Sequence, residues 1–288
     1  MTALLTAMRP KQWSKNILVF AGTIFAQDLL NPDILLNSIL AFVLFCMISS
    51  STYLINDVVD RKKDAMHPVK KNRPIAAGIV SVPLAISTAA ILIVISNVSS
   101  YLIDPRFGII ITCYFITTLL YSLWLKRVLI LDVMIIASGF IFRAVGGTFA
   151  INEHVSSWLI ICTMFLALFF ALNKRRAELI SLGDNAGNVR KTLANYDVNF
   201  LDQMINTVTA TCLVTYALYT LDSETVAKFD TRNLVLTLPF VIYGLFRYLY
   251  LAYHLNLGET PDITMLRDKP ILLCGLLYLV TVVIIIYF

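Results

Sequence analysis

Runs of about 20 mainly apolar residues, the length a helix needs to cross a bilayer, recur from one end of this chain to the other. Nine such runs are read, at about 15–31, 35–56, 79–101, 106–124, 129–150, 155–173, 203–221, 232–252 and 270–288. Hydrocarbon offers no water to the backbone, so a spanning segment is a helix or belongs to a closed barrel. None of the nine alternates polar and apolar residues with the short period of a barrel strand. Composition agrees: 58% of the 288 residues are hydrophobic and 14% are charged, against roughly 45–50% and about 25% in a soluble chain. The expectation is an all-α polytopic membrane protein of about nine transmembrane helices, a single transmembrane domain over residues 1–288.

The few charges are placed unevenly. Segments on the N-terminal side of the membrane (1–14, 57–78, 125–128, 174–202 and 253–269, with Lys15 and Asp132 at their edges) hold 18 Lys/Arg and 11 Asp/Glu. The opposite side holds 3 Lys/Arg and 7 Asp/Glu, and Arg143 and Arg247 lie inside spans. Lys and Arg collect in cytoplasmic loops, so the N-terminus and charged loops are expected in the cytoplasm of a bacterial inner membrane, capping a central chamber, with the C-terminus outside. The first span follows Arg9, Lys11 and Lys15 as a signal peptide would. No small-residue cleavage site follows it, so it is read as a retained helix. Charges gathered at one face, with largely uncharged span interiors, argue against a transporter, which places ionisable groups at the midplane.

Other chemistries find no footing. Cys46, Cys113, Cys162, Cys212 and Cys274 stand singly in apolar segments, as small hydrophobes do. His67, His154 and His254 are far apart, and neither a dinucleotide-binding glycine pattern nor a Walker-type phosphate loop occurs. No nucleic-acid partner is expected, and the oligomeric state is left open.

The sharpest local feature is Asn56-Asp57-Val58-Val59-Asp60-Arg61-Lys62-Lys63-Asp64, where the second run leaves the membrane. At about 100° per residue, Asn56, Asp57, Asp60 and Asp64 fall on one helical face. Carboxylates gathered there repel one another without a cation, and oxygen-only ligands suit Mg²⁺, with Mn²⁺ an alternative. His67, Lys70, Lys71 and Arg73 follow. Arg73 suits bidentate phosphate binding and Lys70 supplies a point charge.

The run at 56–64 followed by Arg73-Pro74-Ile75 resembles the first motif of the UbiA superfamily of intramembrane prenyltransferases. Tyr121 and Lys126, in Tyr-Ser-Leu-Trp-Leu-Lys, resemble that family's Tyr/Lys pair after the fourth helix. The resemblance covers essentially the whole chain and implies a diphosphate held by Asp57, Asp60, Asp64 and Mg²⁺. Tyr121 also reads as an interfacial aromatic anchor.

Most prenyl-transferring members carry a second acidic run after the sixth helix. This chain instead reads Asn173-Lys174-Arg175-Arg176-Ala177-Glu178-Leu179, with Arg190, Lys191, Tyr196 and Asp197 further on. With the Arg9-to-Asn16 opening, whose Lys11 and Lys15 add cations, this is similar to the branch of decaprenyl-phosphate phosphoribosyltransferases. The resemblance implies 5-phosphoribosyl-1-diphosphate and a polyprenyl phosphate lipid as substrates, and a place in cell wall biosynthesis. The lipid phosphate would attack ribose C1 as pyrophosphate leaves. A phosphate monoester is largely ionised at neutral pH, its second pKa being about 6, so no dedicated base is required. Asp57, Asp60, Asp64, Tyr121 and Lys126 would be catalytic. Lys11, Lys15, Asn56, Lys70, Arg73, Lys174, Arg175, Glu178, Tyr196 and Asp197 would bind substrate. The alternative is prenyl transfer to an aromatic acceptor.

Three further residues are ambiguous on sequence alone. Arg143 is read as a structural partner of polar groups, Asp132 as an N-cap or a substrate contact, and Glu178 also as the orienting partner of Arg175 or Lys174.

Overall fold

Most of the expected spans begin where a polar side chain can cap a helix, and the capping side chains do so. The computed structural model describes residues 2–27, 31–66, 70–183, 191–255 and 257–287. Its helices are α1 Thr2–Ala7, α2 Ala21–Phe25, α3 Pro32–Val59, α4 Arg61–Ala65, α5 Val82–Ile103, α6 Pro105–Leu123, α7 Leu131–Ala150, α8 Ser157–Leu182, α9 Val198–Leu221, α10 Ser223–Phe229, α11 Leu238–His254, α12 Pro261–Arg267 and α13 Lys269–Tyr287. Asn31, Ser81, Asp104, Ser156 and Asp197 each accept a backbone N–H from the first turn of the long helix that follows, satisfying donors the helix itself leaves orphaned. Pro32 and Pro105 occupy first-turn positions where a missing N–H costs nothing. The Asp104 carboxyl also pairs with Arg106 at 2.8 Å, and that bond holds it below the usual carboxylate range.

Among the described residues there is no strand, and eight helices are long and apolar enough to span a membrane: α3, α5, α6, α7, α8, α9, 233–254 and α13. The expected run at 15–31 is not among them, and its residues 28–30 lie outside the described residues. Pro10–Phe20 is instead a 3-10 helix of 11 residues, followed by the short α2. The packing supplies the reason. With three residues per turn, Trp13, Asn16, Val19 and Gly22 form one stripe. Trp13 Nε1 donates to Ser50 Oγ at 3.1 Å and the Asn16 amide to Cys46 Sγ at 3.2 Å. A Cβ on Gly147 would lie 2.0 Å from the Val19 carbonyl oxygen, and one on Gly22 would lie 2.5 Å from Thr148 Oγ1. Two glycines thus let the 3-10 backbone lie directly against α7. At about 2.0 Å per residue, then about 1.5 Å, Pro10–Phe25 is roughly 30 Å long. The segment differs from the other runs in winding rather than in reach.

The chain divides into two compact units, Met1–Trp124 with Phe142–Val155, and Leu125–Ile141 with Ser156–Phe288. In the first, α3 packs on α5, α6 and the 3-10 helix. Its core centres on Phe45, Phe107, Ile111 and Tyr114, and a second cluster joins Leu54, Ile75, Val80 and Ala85. In the second unit α8 packs on α9 and α11 on α13. One cluster there gathers Val133, Leu172, Leu193, Tyr196 and Leu201, the other Phe169, Leu245, Tyr248 and Leu251.

Candidate functional site

In the first unit the chemistry gathers where α3 ends. The helix stops at Val59. Asp60 takes φ −86° and ψ 2° as its C-cap, and its N–H reaches the Asn56 carbonyl at 2.9 Å. A new turn, α4, carries Asp64, whose N–H donates to the Asp60 carbonyl at 2.8 Å. Both bonds have the i to i−4 spacing of a helix, so the turn carries on past Asp60, and Asp57 and Asp64 meet the same Arg73 nitrogen. Asp57 and Asp64 are buried at 2% and 3% exposure, whereas Asp60 and Asn56 are half-buried.

Two buried carboxylates require partners, and these are Arg9, 48 residues before Asp57, and Arg73, in the loop that follows α4. Arg9 Nη2 donates to Asp57 Oδ1 at 2.5 Å, its guanidinium lying over the Tyr53 ring. Arg73 Nη1 donates to Asp57 Oδ1 at 3.2 Å and to Asp64 Oδ2 at 2.6 Å. Arg73 is held by its own loop. The fully buried Ile75 plugs the cluster around Leu54, and Gly78, at φ 76°, closes the turn, a conformation that favours glycine. Lys70 is half-buried beside this group. Burial, with Arg73 nearby, holds its ammonium pKa below the ordinary lysine range. Lys11 is exposed and Lys15 half-buried on the 3-10 helix. His67 lies outside the described residues.

Among the described residues no three His, Cys, Asp or Glu side chains form a group able to hold a metal ion. Mg²⁺ does not require three, since it keeps waters and binds through one or two carboxylates plus phosphate oxygens. Asp57 and Asp64 supply that donor set, with oxygens converging on one cationic nitrogen of Arg73. Their chemistry fits a hard divalent ion.

Deeper in the same unit, Arg143 is buried and donates from Nε to Asn16 Oδ1 at 2.6 Å and from Nη2 to the Tyr114 hydroxyl at 2.9 Å. It is a structural hub for the 3-10 helix, α6 and α7.

The second unit gathers a different set. Arg175, on α8, is 1% exposed and Asp132, at the start of α7, is fully buried. Arg175 Nε donates to Asp132 Oδ2 at 2.9 Å and its Nη1 to Glu178 Oε2 at 2.7 Å, and Lys174 Nζ lies 3.9 Å from Glu178. Glu178 thus takes the orienting role. The Tyr196 hydroxyl donates to Asp132 Oδ1 at 3.0 Å and accepts the Ile130 N–H at 3.1 Å. Burial and the Asp132 charge push that phenol up to about 12, so it stays protonated. Asp197 is exposed and caps α9, accepting from the Phe200 N–H at 2.8 Å. Arg176, beside this set, donates to Asp202 at 2.5 Å and lies over the Tyr253 ring. Tyr121, on α6, and Lys126, in the 3-10 turn Leu125–Arg127, are both half-buried. Arg190 lies outside the described residues.

The structure therefore assembles Asp57, Asp64 and Arg73 in one cluster and Lys174, Arg175, Glu178 and Tyr196 in another. Sequence reasoning left out Arg9 as a member and left Asp132 open between an N-cap and a substrate contact. Arg9 was legible only as one cation in a run. Asp132 carried a stronger signal, being an acid at the head of an apolar helix, where an ionisable group without a partner is costly.

Bilayer-length helices bearing buried carboxylate–guanidinium clusters define a multi-pass membrane protein. The chain belongs to the UbiA prenyltransferase family, which its residues 16–255 match. It is 34% identical to the decaprenyl-phosphate phosphoribosyltransferase of Mycolicibacterium smegmatis, over 100% of this chain and 93% of the relative. To the decaprenyl-phosphate phosphoribosyltransferase of Corynebacterium glutamicum it is 32% identical, over 99% of this chain and 86% of the relative. Its fold is similar to that of a UbiA homolog from Archaeoglobus fulgidus bound to GPP and Mg²⁺. The TM-score is 0.74 at 17% identity, over 99% of this chain and 100% of that one.

Proposed function

We propose that this chain, acting as one transferase domain over residues 1–288, moves 5-phosphoribose from 5-phosphoribosyl-1-diphosphate to a polyprenyl phosphate and releases pyrophosphate. The support is likeness along essentially the whole chain to decaprenyl-phosphate phosphoribosyltransferases, in a chain whose α8 carries Lys174-Arg175-Arg176 in its last third rather than an acidic run. A lipid phosphate oxygen forms the bond to ribose C1 while the bond from C1 to the diphosphate breaks. The attacking phosphate is already ionised, so this chain has no proton to remove. What remains is positioning and stabilisation of the departing charge.

Asp57 and Asp64, with Asp60 at the rim, would hold Mg²⁺ or Mn²⁺, which supplies Lewis-acid neutralisation of the diphosphate. Arg73 and Lys70 bind the diphosphate oxygens, and Asn56 lies along the same helix end. Lys11 and Lys15 face the phosphate-bearing lipid. Tyr121 and Lys126 contact the leaving group, and Lys174 takes a further phosphate. The charged ends face the cytoplasm of a bacterial plasma membrane.

Transfer of label from phosphoribosyl diphosphate to decaprenyl phosphate by detergent-solubilised protein tests the reading. Mg²⁺-dependent transfer is expected, lost in Asp57→Asn. A second reading, prenyl transfer to an aromatic acid, is suggested by the prenyltransferase family to which the chain belongs. Prenylated product in place of phosphoribosyl lipid would establish it instead. A reporter fused at residue 66 that reads outside would overturn the orientation.

A further inference from the structure

Ile130 adopts φ 67°. A β-branched side chain in the left-handed region is a genuine outlier, costing about 1–2 kcal/mol, so the surroundings must hold it. The Tyr196 hydroxyl does so, taking the Ile130 N–H at 3.1 Å and donating to Asp132 Oδ1 at 3.0 Å. The other oxygen of Asp132 is taken by Arg175 Nε at 2.9 Å. Asp132, Arg175 and Tyr196 are all at least nine-tenths buried, so these polar atoms are committed to one another.

Two chain segments meet at this knot. The turn Leu125–Arg127, which carries Lys126, packs against Lys191–Asn195, which leads into Tyr196. The strained residue lies between Lys126 and the head of α7, with the Asp132 N–H bonded to the Val128 carbonyl and the Val128 N–H to that of Leu125. Whatever holds Ile130 therefore sets the path of the backbone that presents Lys126. On the other side of Asp132, Arg175 is flanked by Lys174, which shares Glu178 with it.

We infer that Asp132, Arg175 and Tyr196 are positioning residues: a buried clamp that holds the strained turn at Ile130 and thereby fixes Lys126 and Lys174 for phosphate groups, without touching substrate themselves. This revises the sequence expectation, in which Arg175 and Tyr196 bind substrate, and it rests on the phosphoribosyl transfer proposed above for the identity of the phosphates. Strain held by surrounding contacts is a recurring means of pre-organising a site. A phenol that stays protonated is suited to the task, since it can donate to Asp132 and accept from Ile130 at once.

Tyr196→Phe is the clean test, because it deletes one oxygen and keeps the ring in its apolar cluster. Asp132→Asn removes one of the carboxylate charges paired with the buried Arg175 and can fail to fold, so it is not the primary variant. Hydrogen exchange of the full-length protein in detergent reads the clamp with no substrate present. Exchange in a peptide spanning 125–133 is expected to rise about five- to twentyfold in Tyr196→Phe, the range for one lost buried hydrogen bond. Exchange in the middle of α8 should stay unchanged. In the transfer assay, KM for phosphoribosyl diphosphate should rise about tenfold with kcat within about threefold, as expected when placement of a binding group is loosened. Unchanged exchange at 125–133 overturns the clamp. So does a kcat loss of about a hundredfold at fixed KM, which marks Tyr196 as a direct participant. Equal acceleration of exchange in every peptide also overturns it, as a purely global role. If the wild type transfers no phosphoribose, the proposed function falls while the exchange result still decides the clamp.

Discussion

At the end of α3 the acids are buried and the arginines reach in from outside. Asp57 and Asp64 side chains are 2% and 5% exposed, while Arg9 and Arg73 remain 27% and 28% exposed. Where the head of α7 meets Arg175 of α8, the arginine is itself enclosed, at 2% for Arg175 against 0% for Asp132. The same two ion types thus make opposite devices. A half-exposed guanidinium can give up a carboxylate to an incoming cation and turn to a phosphate, because water and ligand compensate it. A fully enclosed pair cannot, since separating it leaves an unsolvated charge. Under the proposed function, the first cluster exchanges partners while the second holds still.

The widest gap between the two regions is expected in activity. Asp57→Asn should lower phosphoribosyl transfer by about 10²–10³-fold while the thermal unfolding midpoint in detergent stays near that of the wild type. A collapse of folding in Asp57→Asn would erase the distinction. Stability should show the converse. Asp132→Ala is expected to cost about 3–5 kcal/mol, read from denaturant unfolding of the solubilised protein, and a loss below about 1 kcal/mol would show that the enclosed pair does not lock the fold.

Geometry separates the regions more finely. One Arg73 nitrogen serves two carboxylates, a bridge that a compact ammonium on a shorter reach does not reproduce. Arg73→Lys should therefore raise KM for phosphoribosyl diphosphate by about tenfold at nearly unchanged stability. The smallest effect lies in pH. The Lys70 ammonium is depressed by burial and Arg73, so its charge is lost at lower pH than an ordinary lysine's, and donor binding weakens as pH rises through that value. Lys70→Arg should move this alkaline limb upward, an effect of about two- to fivefold. The stability sign is opposite. Between the depressed value and the ordinary one the unfolded chain binds the extra proton, so this group makes folding more favourable as pH rises across that window.

Most spans could be read from residue order because their cause is local. Apolar length sets the crossing, and Asn31, Ser81, Asp104, Ser156 and Asp197 cap the starts. The exception, Pro10–Phe20, is instructive. Its Trp13, Asn16 and Val19, continued by Gly22 in α2, recur with a period of three, but that period acquires meaning only from partners elsewhere in the chain, Cys46 and Ser50 on α3 and, more than a hundred residues away, Gly147 and Thr148 on α7. The winding of the segment answers to a partner that no window along the chain contains.

By itself, then, the sequence determined a multi-pass helical membrane protein with one acid-bearing helix end, one basic helix end and a resemblance pointing to phosphate chemistry. Those properties are set by composition, periodicity and neighbours within a turn or two. Only the tertiary structure decided which charge meets which. Arg9 reaches Asp57 across 48 residues, Arg175 reaches Asp132 across 43 and Arg143 reaches Asn16 across 127. A helical period assigns a side chain to a face but does not name the helix packed there. In an apolar interior that choice decides whether a charge is exchangeable or locked, since each buried ion must find its partner wherever the packing brings one.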